Sequence, residues 1–199
     1  GAVWHSNKDG TFAVLEFCRA NEAKLVYAGS STKFGDGGLG RDQSPYAWTK
    51  ASNTELVKNY GVWFGLKYAI TYFYNVYGPR EISQGGFATV IGIFKDNKKR
   101  GKPLSVVAPG IQTRIFTHVD DIVQGLILVG AKGAGDGFGL GAEDEYSILD
   151  IAKMFGGEIL MLPERAGNRM TSTIDLSRSR DELGWRAEKS IKKHIEEWR

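Results

Sequence analysis

Lys24-Leu25-Val26-Tyr27-Ala28-Gly29-Ser30-Ser31-Thr32, followed by Ser44-Pro45-Tyr46-Ala47-Trp48-Thr49-Lys50, decides the fold. Lys24 to Ala28 is short, β-rich and unbroken, which predicts a buried strand. Gly29 to Gly40 is rich in Gly, Ser and Thr and predicts a loop. Tyr46 to Tyr60 predicts a helix entered through Pro45. Working outward, apolar residues at helical spacing predict a helix from Asn7 to Ala20, capped by Asn7 or Asp9. Lys67 to Tyr74 predicts a strand, ended by Gly78-Pro79. Further on come a helix at 87–94, short strands at 104–107 and 115–117, and a helix to about Val129 capped by Asp120 or Asp121. A strand at 137–140, a helix at 148–155, a strand at 158–162 and helices at 177–183 and 191–198 close the chain. Strands and helices alternate through short connections. That pattern predicts an α/β fold, a mostly parallel sheet with helices on its faces. Shorter elements and more Gly after Gly78 predict a smaller second lobe.

The chain's 199 residues correspond to one domain, or one and a fraction, at about 150 residues per domain. A composition that is 42% hydrophobic and 25% charged excludes disorder and collagen-like repeats. One cysteine, Cys18, excludes an internal disulfide framework and a cysteine-based zinc site; it falls on the apolar face of the first helix and reads as core. No apolar run approaches the roughly 18 to 20 residues of a membrane span, so a cytoplasmic protein away from membranes is expected. The formal charge of +3 leans on Lys95, Lys98, Lys99, Arg100 and Lys102. Cations there suit a helix end and a solvated loop. No basic face interleaved with aromatics marks a nucleic-acid binder. His5, His118 and His194 are too scattered for a metal site, and none is predicted. Trp185, after Leu183-Gly184, is expected to anchor the C-terminal helix.

The chemistry concentrates around Ser30. Ligands of open α/β sheets collect at strand ends, and Ser30 stands at one. Tyr46 and Lys50 are four apart on a predicted helix and share a face. A free tyrosine has a pKa of about 10, and an adjacent ammonium favours the phenolate. Bringing that pKa to about 7 takes roughly 4 kcal/mol of differential interaction. A tyrosinate can then take a proton from a sugar hydroxyl held in line by Ser30.

On these residues the chain resembles the extended short-chain dehydrogenase/reductases, in particular the nucleotide-sugar epimerases. The resemblance covers nearly the whole chain: Asn7 with Gly10-Thr11; Ser30-Ser31-Thr32-Lys33-Phe34-Gly35-Asp36; Tyr46 with Lys50; and Tyr74-Asn75-Val76-Tyr77-Gly78-Pro79-Arg80. It continues through Arg114-Ile115-Phe116-Thr117-His118-Val119-Asp120-Asp121, Arg165-Ala166-Gly167-Asn168, Asp175, and Asp181-Glu182-Leu183-Gly184-Trp185. It implies Ser30, Tyr46 and Lys50 as the catalytic trio, with Tyr74 beside them at the NAD cofactor. It implies Thr32, Asn75, Arg114, Arg165, Asn168 and Ser172 as substrate contacts. The two arginines clamp a diphosphate, for which their forked donors are suited. Leu104 to Val107 would border the nucleotide base, with Val107 where the family usually has an aromatic. Asn168 stands for the usual Asp.

Dehydratases of this family carry an acidic pair after the catalytic Ser/Thr, and the decarboxylases a glutamate at the position of Thr32. Ser31 and Thr32 are neither, which favours epimerisation at sugar C4 of a UDP-hexose. A small residue at Ser172 leaves room for an N-acetylated sugar. The resemblance begins partway through the family's sequence. It implies an incomplete Rossmann-like parallel sheet lacking its first βαβ unit, with the glycine-rich turn that cradles the NAD pyrophosphate. Residues 1–80 would be the Rossmann half and 81–199 mainly a small C-terminal substrate lobe, with 112–131 returning to the first domain. Gly35 to Gly40 and Gly137 to Ala142 imitate the glycine fingerprint without its strand–turn–helix setting. A truncated or processed form is therefore expected, its first strand exposed unless something covers it. The family's dimer helices correspond to 7–20 and 46–60, which implies a homodimer. Two alternatives stand beside the epimerase: a non-catalytic sugar-nucleotide-binding module unable to hold NAD, and an NADPH-dependent reductase.

Overall fold

The computed structural model describes all residues except 31–40, 43, 165–173 and 199. In chain order, α1 (Ala2–Trp4) passes through a π turn (His5–Asp9) into α2 (Gly10–Ala20). Then follow β1 (Leu25–Ala28), α3 (Pro45–Phe64), β2 (Tyr68–Phe73), β3 (Val76–Tyr77), α4 (Val90–Lys99), β4 (Leu104–Val107), β5 (Thr113–Ile115) and β6 (Thr117–His118). The rest is α5 (Val119–Lys132), β7 (Gly135–Leu140), β8 (Glu145–Ser147), α6 (Ile148–Phe155), β9 (Ile159–Leu162), α7 (Ser177–Leu183) and α8 (Ile191–Trp198). Two compact units result. One comprises Gly1–Phe73, Val123–Leu140 and Thr173–Arg186; the other comprises Tyr74–Ile122, Gly141–Ser172 and Ala187–Arg199.

The first unit holds a parallel sheet in the order β1-β2-β7. β2 is flanked on both sides and is buried from Ala69 to Tyr72, as its apolar run predicts. β1 instead alternates: Leu25 and Tyr27 are buried, Val26 and Ala28 half-buried. Leu25 and Tyr27 join Leu15, Cys18, Val57 and Ile70 in the core of this unit. The polar cap of α3 is local: Ser44 Oγ accepts from the amide of Ala47 at 3.1 Å, and Pro45 occupies the first turn. Gly65, at φ 67°, ends the helix in the left-handed region.

The first helix departs from its predicted start. Helical backbone begins at Ala2 and runs past Asn7 and Asp9, so neither caps it. Asn7 donates to Thr49 Oγ1 at 2.9 Å, and Asp9 pairs with His5 at 2.6 Å. Trp185 is buried: its amide donates to Ser179 O in α7 at 3.0 Å, and a Cβ on Gly125 of α5 would lie 3.0 Å from its indole nitrogen.

The second unit is built from two-stranded pairs: β3 with β6 and β4 with β9 parallel, β5 with β8 antiparallel. Phe94, Phe116, Ile151, Phe155 and Ile195 meet in its core. α6 opens on a capping box between Ser147 and Asp150. α4 starts later and runs further than 87–94. Lys98 and Lys99 fall in its last turn, where cations suit the dipole. Lys95 is not solvated: its side chain is 14% exposed and pairs with Glu81 at 2.8 Å. Neither predicted aspartate caps α5. His118 Nδ1 accepts from the Asp120 amide at 3.1 Å, and Asp121 accepts from the amides of Glu188 and Lys189.

Candidate active site

In the first unit, β1 and α3 supply the predicted trio. Lys50 lies one turn after Tyr46 in α3, and its ammonium donates to the carbonyl oxygen of Ala28 at 2.6 Å. That carbonyl closes β1, two residues before Ser30. The ammonium also stands 4.6 Å from the centre of the Tyr27 ring, a cation–π contact. Burial lowers the Lys50 pKa from the ordinary lysine value. Tyr46 is half exposed. Ser30 is half-buried.

The strand end is braced from below. The Gly29 amide donates to Thr71 O at 2.8 Å. The Tyr72 ring lies where a Cβ of residue 29 would stand, which explains the glycine there. Tyr72 donates to Asp136 Oδ1 at 2.7 Å, and Lys58 pairs with the same carboxylate at 2.7 Å. Burial, and then this carboxylate, push the Tyr72 pKa up. Tyr72 is therefore a neutral donor.

In the second unit, a cavity of about 270 Å³ brings together Asn75 and Arg114, two predicted substrate contacts. Asn75, at φ 36°, is held by its side-chain amide on Ile115 O at 3.0 Å. Arg114 donates to Thr113 O at 2.6 Å. The opposite lining comes from Ala88 to Ile91, with Phe116 and Ile148; sequence reading had not placed these residues at a site. Leu104 is corrected: it has no exposed surface and belongs to the core. Val107 is half-buried and its carbonyl accepts from Gln112 at 3.0 Å; neither lines this cavity. Tyr74 is 3% exposed and presents almost no surface to a cofactor. Thr32, Arg165, Asn168 and Ser172 lie outside the described residues. Among the described residues no group of three His, Cys, Asp or Glu side chains could hold a metal, and no helix is long and apolar enough to cross a membrane.

The model of the NAD dependent epimerase/dehydratase family matches residues 1–141. The chain belongs to that family. A UDP-glucose 4-epimerase of Mycolicibacterium smegmatis is 28% identical over 76% of this chain and 50% of its own length. A UDP-N-acetyl-alpha-D-glucosaminuronate decarboxylase of Bacillus cytotoxicus is 31% identical over 74% of this chain and, again, 50% of its own. The chain thus spans about half the length of these relatives. Among solved structures, the UDP-glucose 4-epimerase of Thermotoga maritima with UDP-glucose superposes with a TM-score of 0.87 at 24% identity, over 96% of this chain and 67% of that one. That likeness gives the Rossmann-like fold.

Membership in an NAD dependent family poses a question of fit. At the nicotinamide end the residues would suit the cofactor: the half-buried Lys50 ammonium sits on the Ala28 carbonyl, two residues before Ser30, and the half-exposed Tyr46 lies one turn earlier on the same helix. At the adenosine end, Gly137 to Leu140 is no phosphate turn. It is the body of β7, paired with β2. A Cβ on Gly139 would collide with the Asp175 carbonyl, so that glycine serves packing.

Proposed function

We propose that this chain is the proton-transferring and sugar-nucleotide-holding part of an NAD-dependent epimerase acting at C4 of a UDP-hexose. The observation that carries the reading is the half-buried Lys50 ammonium, bonded to the Ala28 carbonyl that closes the strand before Ser30, with Tyr46 one turn earlier on the same helix. NAD, when bound, accepts hydride from the sugar and returns it. Tyr46 takes the proton of the 4-hydroxyl and gives it back on return. The Lys50 cation lowers the cost of the phenolate, and Ser30 holds the hydroxyl in line. Asn75 and Arg114 hold the diphosphate in their cavity, with Arg165 as the second clamp and Asn168 and Ser172 near the nucleotide and sugar. Ser31 and Thr32, neither of them acidic, favour epimerisation over dehydration and decarboxylation. The test is interconversion of UDP-glucose and UDP-galactose by the purified chain with NAD added. Tyr46→Phe should lower turnover by about 10² to 10⁴, the range of a lost general base. A wild-type chain without turnover, and without NAD binding by calorimetry, would move the reading to a sugar-nucleotide-binding module.

The same reading includes a homodimer. Phe17, Val62 and Trp63 are 64%, 81% and 58% exposed on α2 and α3. Phe12, Val14 and Phe64 are exposed on the same helices. An apolar surface of this kind suits a partner copy.

A further inference from the structure

Behind the Asn75–Arg114 cavity, a line of polar contacts runs through the interior of the second unit. His194 Nε2 accepts from Lys95 Nζ at 2.8 Å. Lys95 also donates to Glu81 Oε1 at 2.8 Å. Glu81 Oε2 accepts from the Thr89 hydroxyl at 2.9 Å. Thr89 Oγ1 in turn accepts from the Gly92 amide at 3.0 Å and so caps α4. The Thr89 amide donates to Ile82 O at 2.9 Å. A Cβ on Gly92 would press on that same carbonyl, so the segment carrying Glu81 lies flush on the first turn of α4.

The Glu81 and Lys95 side chains are 9% and 14% exposed. Burying such a pair carries a desolvation cost, and two well-packed apolar side chains would seal the space at least as stably. The carboxylate does something an apolar group does not. By accepting the Thr89 proton it fixes the hydroxyl rotor and aims a lone pair at the Gly92 amide. The residues so fixed, Thr89 to Ile91, line the cavity that holds Asn75 and Arg114. Glu81 itself lines a different hollow, of about 440 Å³, with Lys95, Lys99 and His194.

We propose that Glu81 is a positioning residue for nucleoside-diphosphate binding: acting through Thr89, and held by Lys95, it sets the wall of the cavity that the first turn of α4 provides. This rests on the reading of that cavity as the diphosphate site. The experiment is calorimetric titration of the full chain with UDP, alongside amide exchange at Gly92 and Ile93. Glu81→Gln should weaken UDP binding about tenfold and speed exchange at Gly92. Lys99→Met, on the rim of the second hollow, should stay within about twofold of the parent. The decisive variant is Glu81→Leu combined with Lys95→Met. It removes both buried charges, so folding stability should recover while UDP affinity stays about tenfold down. Affinity recovering together with stability would overturn the proposal, as would unchanged affinity in Glu81→Gln. If the wild-type chain binds no UDP, the diphosphate reading falls. The positioning of the turn is then decided by exchange alone: faster exchange at Gly92 in Glu81→Gln supports it and unchanged exchange refutes it.

Discussion

Gly29 and Lys50 fix the end of β1 from two directions, one by having no side chain and the other by the reach of a long one. A methyl group at residue 29 would stand in the Tyr72 ring. Gly29→Ala should therefore cost about 1 to 3 kcal/mol, the usual range for overpacking, read as a lower urea midpoint. Lys50→Met should leave the fold intact, since the stem still packs, yet free the Ala28 carbonyl and remove the cation from the end of β1. Turnover should fall by about 10² or more, with a smaller change in sugar-nucleotide affinity, if the proposed role holds. Ser30, Tyr46 and Lys50 were legible as a candidate site because their signal is local: a strand, a turn and a four-residue spacing. The brace beneath them was not. Tyr72 and Asp136 are 64 positions apart, and nothing in either segment announces that they meet. Leu104 misled for a related reason: resemblance assigns a strand to a site but not the face on which each residue lies, and this one faces the core.

The elements were legible where their ends carry their own punctuation. α3 has Ser44, Pro45 and Gly65 at the places the backbone needs them, and its predicted span falls short only by the last turn. Ser44→Ala should cost about 1 kcal/mol, the worth of an N-cap hydroxyl, measured by chemical denaturation. α4 was harder, because its cap is Thr89 while its apolar spacing already starts at Phe87. Its lysines read as one solvated cluster, although Lys95 turns inward to a carboxylate supplied by a preceding loop. The first helix was misplaced because Asn7 and Asp9 have capping chemistry, but tertiary partners and His5 occupy their side chains. A propensity for caps cannot tell which partner a polar side chain will find.

At the scale of the molecule, two histidines that sequence left scattered come together. The rings of His118 and His194 lie 5.5 Å apart, both against Tyr77. Burial first, then Lys95 beside His194 and Lys189 and Lys95 near His118, lower both pKa values, against the opposing pull of Asp120, Asp121, Glu81 and Glu197. Below about pH 6.5 the unfolded chain therefore takes up protons that the folded chain resists. Stability should be level above that pH and fall as pH drops through the lower folded-state values. Urea midpoints across this range should show it, and His194→Gln should shrink the slope. The exposed apolar residues of α2 and α3 make a second prediction at this scale: if the proposed homodimer forms, Phe17→Glu with Trp63→Glu should turn it into a monomer by light scattering, without loss of helical signal. The π turn at His5–Asp9 has a consequence of its own. Such a turn holds one residue more than an α-helix of the same rise, so the helix carries slack there. Shortening it by one, as in a deletion of Ser6, should be absorbed on the spot, and the stack of Trp4 on Trp48, at 6.0 Å, should keep its phase. The same excision made within Gly10–Ala20 would swing every residue before it about 100° around the axis.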